Sequence, residues 1–190
     1  MTATTTAMVR NGVDTATMFA TLDAITGQPE LGRFQFRAAN EWVGGSHNRS
    51  SIRSFYGAGG EDTTRETTFV LDAGEPALLL GADEGPNPAE CALHALAACL
   101  TTTLVYTAAA RKVRLTRVTS KLEGDIDVRG ALGLDDEVDN GYQAIRVHFE
   151  VEGDAPTEKL RELVTRAQQR SAMFATFSSP VPVTVTVDTP

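Results

Sequence analysis

The chain has 190 residues, a formal net charge of −8, and 42% hydrophobic against 22% charged residues. That composition suits one globular domain with a good-sized core. The acidic balance, with no basic run, excludes a phosphate-tracking surface, so no nucleic-acid partner is expected.

Residues 1 to 10 are rich in Thr and Ala and read as a frayed tail. The start, MTATTTAMVRNG, has no cationic stretch leading into a hydrophobic one, so a secretory signal is not expected. Val13 to Ile25 carries helical spacing (Val13, Met18, Phe19, Leu22, Ile25) that stops at Gly27 and Pro29. Residues 1–30 are therefore taken as an extension or short helix ahead of one domain over 31–190. Arg33 to Val43 alternates as a strand, Gly44-Gly45 turns the chain, and Ser51 to Tyr56 continues as a second strand. Gly57 to Thr64 is a polar turn whose glycines lack the strand-to-helix context of a dinucleotide loop. Glu66 to Leu71 reads as a third strand and Ala77 to Leu80 as a short apolar one.

The longest apolar stretch is NPAECALHALAACLTTTLVYTAAARK, Asn87 to Lys112. Asn87 can cap a helix, Pro88 suits its first position and Glu90 can close a capping box. Neither Gly nor Pro interrupts Ala89 to Ala110, and Arg111 and Lys112 suit the negative end of the macrodipole. A helix this apolar, with Glu90, His94 and three threonines, is expected inside a protein core rather than across a membrane. Its two cysteines, Cys91 and Cys99, lie about 12 Å apart along the axis, too far for a disulfide without unwinding.

Val113 to Val128 reads as a long strand with a bulge near Val118, and Gly130 to Gly141 as an acidic, solvated loop. Ile145, Val147, Phe149 and Val151 alternate with Arg146, His148 and Glu150 as a half-buried strand. Asp154 to Pro156 starts a helix with Leu160, Leu163, Val164 and Ala167 on one face, and Pro180 to Asp188 reads as a closing edge strand. The order is a β-meander, a buried helix, two strands, a helix and a strand, which makes an α+β domain. Three dispersed histidines and two cysteines show no metal-ligand spacing, so neither a metal nor a cofactor is expected. The cysteine usage suits a reducing cytoplasm.

GPNPAECALHALAACLTTT resembles the helix of the OsmC/Ohr family, the osmotically inducible protein C and organic hydroperoxide resistance proteins. The following strand, the EKL…QQRS helix and the closing SPVPVTV stretch support the resemblance, which spans roughly Arg33 to Val187 in a divergent member. It implies an intertwined homodimer in which an antiparallel sheet wraps a long central helix. It also implies a thiol-dependent peroxidase that reduces small organic hydroperoxides. Cys99 falls on the family's peroxidatic position. The family's thiolate-stabilising Arg corresponds best to Arg49, in the stretch Gly44 to Arg49, and next to Arg53. His47 lies in the same stretch.

Two positions depart from the family. Its Glu after the helix-start Pro is Ala89 here, and its resolving cysteine is Ser171. Serine cannot form a disulfide, so a one-cysteine cycle fed by an external thiol is implied, with Phe174, Phe177 or Trp42 lining an access pocket. The other reading keeps Cys99 as a packed or slow thiol in a non-peroxidase that binds a small apolar molecule at the dimer interface. A thiol sunk in hydrocarbon has its pKa raised, so the first reading requires a nearby positive charge to favour the thiolate.

Overall fold

The computed structural model describes residues 8–189. The chain divides into two compact units at Ala92 and Leu93, within its longest helix. The frayed tail expected over residues 1–10 lies mostly outside the described residues.

In the first unit, β1 (Val9–Arg10) and β2 (Val13–Asp14) pair through a turn and lead into α1 (Thr15–Gly27). Asp14 caps α1 by accepting from the Ala16 and Thr17 amides. A 3-10 turn (Pro29–Gly32) leads to β3 (Gln35–Phe36), β4 (Ala39–Gly44), β5 (His47–Ile52), β6 (Phe55–Gly57), β7 (Gly60–Glu61) and β8 (Phe69–Ala73). These make two antiparallel sheets, ordered β4-β5-β8 and β3-β6-β7. The β4–β5 hairpin closes at Gly45, whose φ of 59° is one that glycine adopts without strain. Residues 47–49 are therefore strand rather than loop. The Gly57–Gly60 stretch is the expected turn, joining β6 to β7.

Ala77–Leu79 forms a 3-10 turn, not the strand that its apolar run suggests. So short a run has no period of its own, and the turn leaves Leu78 and Leu80 almost fully in water (95% and 96% exposed). The long helix, α2 (Pro88–Ala110), opens with the expected capping box. The Glu90 amide donates to Asn87 Oδ1 at 2.8 Å, and the Asn87 amide donates to Glu90 Oε2 at 2.9 Å.

The second unit holds the core. Along α2, Leu96, Leu100, Leu104 and Ala108 form one buried stripe at four-residue spacing. Leu104, Ala108 and Val113 pack with Leu163 and Ala167, ringed by Val118, Phe149, Val151 and Leu160. Full burial of Leu104 and of Leu163 contributes roughly 1.5–3 kcal/mol each. The helix ends with Lys112 in the left-handed region and the Val113 amide donating back to the Ala108 carbonyl, a Schellman-type stop. Apart from the stripe and Ala109, α2 stays half-buried or exposed, with Tyr106 53% exposed. Its length and composition would suffice to cross a membrane.

β9 (Leu115–Asp125) pairs antiparallel with β10 (Ala144–Gly153), whose alternate residues are half-buried as expected. The register slips between Glu152 and Gly153, leaving Thr116 as the extra residue two positions before Val118. Gly153 belongs there because a Cβ would lie 2.6 Å from the Arg114 carbonyl oxygen. Between these strands lie α3 (Val128–Ala131) and the acidic loop. That loop is held rather than merely solvated, since Arg129 bridges Asp127 at 2.6 Å and Asp135 at 3.1 Å.

The chain continues as α4 (Thr157–Arg170), breaks at Ser171, and resumes as α5 (Ala172–Ser178). The expected strand over Pro180–Asp188 does not form in this chain. Its valine alternation is that of a strand, but no strand among the described residues pairs with it, and Val183, Val185 and Val187 are each more than four-fifths exposed. The described architecture is α+β with antiparallel sheets.

Candidate active site

Cys99 sits midway along α2, half-buried and with a free thiol. Its neighbours come from the break between α4 and α5. That break places Ser171 against α2, where the residue is 2% exposed. The Ser171 hydroxyl donates to the Cys99 sulfur at 3.2 Å and accepts from the Phe174 amide at 3.1 Å, so it both caps α5 and holds the thiol. The amides of Ala172 and Met173, at the start of α5, also point to the sulfur. One turn on, Thr103 donates its hydroxyl to the Cys99 carbonyl at 2.7 Å.

Burial pushes the Cys99 thiol up, but the Met173 amide, the Ser171 hydroxyl and the Ala172 amide outweigh it. The thiol is held below the ordinary cysteine range. Each group that lowers it here is a neutral hydrogen-bond donor. Such an arrangement favours a thiolate, the form that attacks electrophiles.

Arg49 is on β5 of the first unit, where its Nε donates to Asp72 Oδ1 at 2.8 Å. His47 Nε2 meets the same carboxylate oxygen at 2.8 Å, and Arg49 first, then His47, holds the Asp72 carboxyl below the usual range. His47 is thus half-buried and paired rather than solvated. Arg53 is exposed, and its carbonyl accepts from Arg65. Glu90 is the helix cap already described. Cys91 makes one long contact, 3.8 Å, to the Pro86 carbonyl. His94 and His148 are exposed. Among the described residues, no group of three or more His, Cys, Asp or Glu side chains is placed to hold a metal.

A pocket of about 550 Å³ opens in the second unit beside α5, lined by Leu96, Tyr142, Ile145, Val147, Phe174 and Phe177. Phe174 and Phe177 are therefore pocket-lining, whereas Trp42 is 75% exposed on β4, its indole donating to the Gly45 carbonyl. Sequence reasoning missed Asp72 and the α5 amides. Asp72 is revealed only by strand register, which sets it opposite Arg49. The amides carry no side-chain signal at all.

A family model described as OsmC-like protein matches residues 81–186, more than half of the chain. The chain belongs to the OsmC-like family. This OsmC-like protein is similar in fold to an OsmC-like protein from Mycoplasma pneumoniae, at 15% identity, TM-score 0.59, and coverage of 77% of this chain and 89% of that one. An OsmC-like protein of unknown function from Vibrio cholerae matches at 12% identity and TM-score 0.55, covering 77% and 94%. An organic hydroperoxide resistance protein OsmC from Legionella pneumophila matches at 17% identity and TM-score 0.51, covering 73% and 87%. These identities establish the shared fold alone. A search among curated proteins finds no match. The family match takes in both Cys99 and Ser171 of this OsmC-like protein.

Proposed function

We propose that this OsmC-like protein is a one-cysteine, thiol-dependent peroxidase that reduces organic hydroperoxides in the cytoplasm. The observation that carries the reading is Cys99 itself, a half-buried thiol on the family's helix whose surrounding donors favour its ionised form. The hydroperoxide resistance named for the Legionella relative supports the substrate class.

In the reaction, the Cys99 thiolate attacks the terminal oxygen of R–O–O–H. An S–O bond forms, the O–O bond breaks, and the departing alkoxide takes a proton from solvent to leave as R–OH. The sulfur, oxidised by two electrons, becomes a sulfenic acid. An external thiol condenses with it, forming a mixed disulfide and releasing water, and a second thiol restores Cys99. Arg49 is assigned the cation that steadies the developing charge. Asp72 holds it through its Nε at 2.8 Å, with Glu41 opposite it in the β4–β5 register.

A homodimer completes the proposal. Each unit leaves large apolar side chains in water, Phe36 and Trp42 in the first and Val183, Val185 and Val187 in the second, and Tyr106 of α2 is 53% exposed. Monomers seldom expose so much apolar surface. In the assembly the antiparallel sheets wrap α2, residues 31–190 act as the OsmC-like domain, and the Arg49 that serves each thiol can come from either subunit.

The test is consumption of an alkyl hydroperoxide in the presence of dithiothreitol. Turnover is expected with the wild type and lost in Cys99→Ser; equal turnover by the variant removes the assignment. The apolar pocket favours a second reading, a non-catalytic protein holding a small apolar ligand at the interface. On that reading a fluorescent apolar probe binds equally to Cys99→Ser, and hydroperoxide is not consumed.

A further inference from the structure

We propose that Ser171 is a positioning residue for Cys99, its buried hydroxyl holding the sulfur both before and after oxidation. This rests on Cys99 being the reacting sulfur. Ser171 is 2% exposed, so water does not compete for its hydroxyl. That hydroxyl uses its single proton on the Cys99 sulfur at 3.2 Å and a lone pair on the Phe174 amide at 3.1 Å. The amide fixes the oxygen, and the fixed oxygen aims its proton at the sulfur. A donor held this way stabilises a thiolate more than a thiol, and with the Ala172 and Met173 amides it lowers the cost of ionising a half-buried sulfur.

The same geometry has a consequence after oxidation. When the S–O bond forms at the expense of the O–O bond, the group facing the new sulfenic acid on the α4–α5 side is a hydroxyl. A hydroxyl hydrogen-bonds to the sulfenic oxygen but cannot displace it, because condensation to a disulfide needs a thiol. The α4–α5 side therefore supplies no disulfide partner, and the resolving thiol comes from solution. Ser171 thus sets two properties at once, early ionisation and late resolution.

The experiment compares wild type, Ser171→Ala and Ser171→Gly, following iodoacetamide alkylation of the Cys99 peptide by mass spectrometry across pH. Glycine is included because it is a far better helix N-cap than alanine while equally lacking a hydroxyl, which separates capping from donation. Both variants are expected to alkylate about tenfold more slowly below neutrality, with the apparent pKa raised by about one unit. Lowered melting temperature with unchanged pH profiles in both would overturn the proposal and leave Ser171 a cap. The readout does not depend on peroxidase turnover. A raised pKa in a protein that consumes no hydroperoxide would keep this inference and dismiss the peroxidase reading.

Discussion

The Ser171 hydroxyl and the Cys99 sulfur, 72 residues apart in sequence, meet at 3.2 Å in the fold. The break between α4 and α5 brings them together, and it also points the first amides of α5 at the same sulfur. A second thiol placed at that break should reach Cys99. In Ser171→Cys, mild oxidation with hydroperoxide is expected to join Cys99 to the introduced thiol as a disulfide. The bond is read as the loss of two hydrogens in intact mass and of two titratable thiols. Two sulfurs near this separation need only a small shift to bond. Retention of both thiols would show that the residues do not meet as described.

The stripe on α2 gives a stability prediction. Leu104→Ala and Leu163→Ala, both at wholly buried positions, are each expected to cost about 2–5 kcal/mol in urea unfolding. Because the two side chains share one cluster, the double variant should fall short of additivity. A loss below about 1 kcal/mol at Leu104 would mean that the α2 core is not packed this way.

The capping box makes a smaller claim. Asn87→Ala removes the acceptor for the Glu90 amide and is expected to cost about 1 kcal/mol, read in the same urea titration. Glu90→Gln keeps the reach back to the Asn87 amide and should change little.

The fold also links to pH through Cys99. Its value in the folded chain is depressed, so the unfolded chain holds the proton to higher pH. The stabilisation is fully present above the unfolded value, about 8.5, and is lost as pH falls through the folded one. Melting temperature of wild type relative to Cys99→Ala should therefore rise as pH is raised toward about 8.5. A flat difference would mean that folding leaves the thiol's ionisation alone. Asp72, also depressed, contributes in the acid range: its share is present above about pH 3.9 and lost below as the carboxyl protonates.

Much of this was legible in the sequence because it is local. Asn87, Pro88 and Glu90 announce the start of α2, and the Ile145 to Val151 alternation announces β10. The AAC stretch draws attention to Cys99, which the structure sets beside Ser171. What was not legible depends on partners distant in sequence. Arg49 finds Asp72 only through the β5–β8 register. The Pro180–Asp188 valines write a strand that finds no pairing edge among the described residues. The expectation that the thiolate requires a cation also overlooked backbone amides, which every residue but proline carries and no pattern reveals.

The central claim is that Cys99 is a reactive thiol whose ionisation its neighbours favour. Its most direct test is rapid mixing of reduced protein with tert-butyl hydroperoxide at pH 7, followed by dimedone trapping and peptide mass spectrometry. The account predicts prompt, stoichiometric dimedone labelling at Cys99 and none at Cys91, with the label abolished by prior addition of an external thiol. An unlabelled Cys99, or labelling no faster than that of an unfolded cysteine peptide, would contradict it.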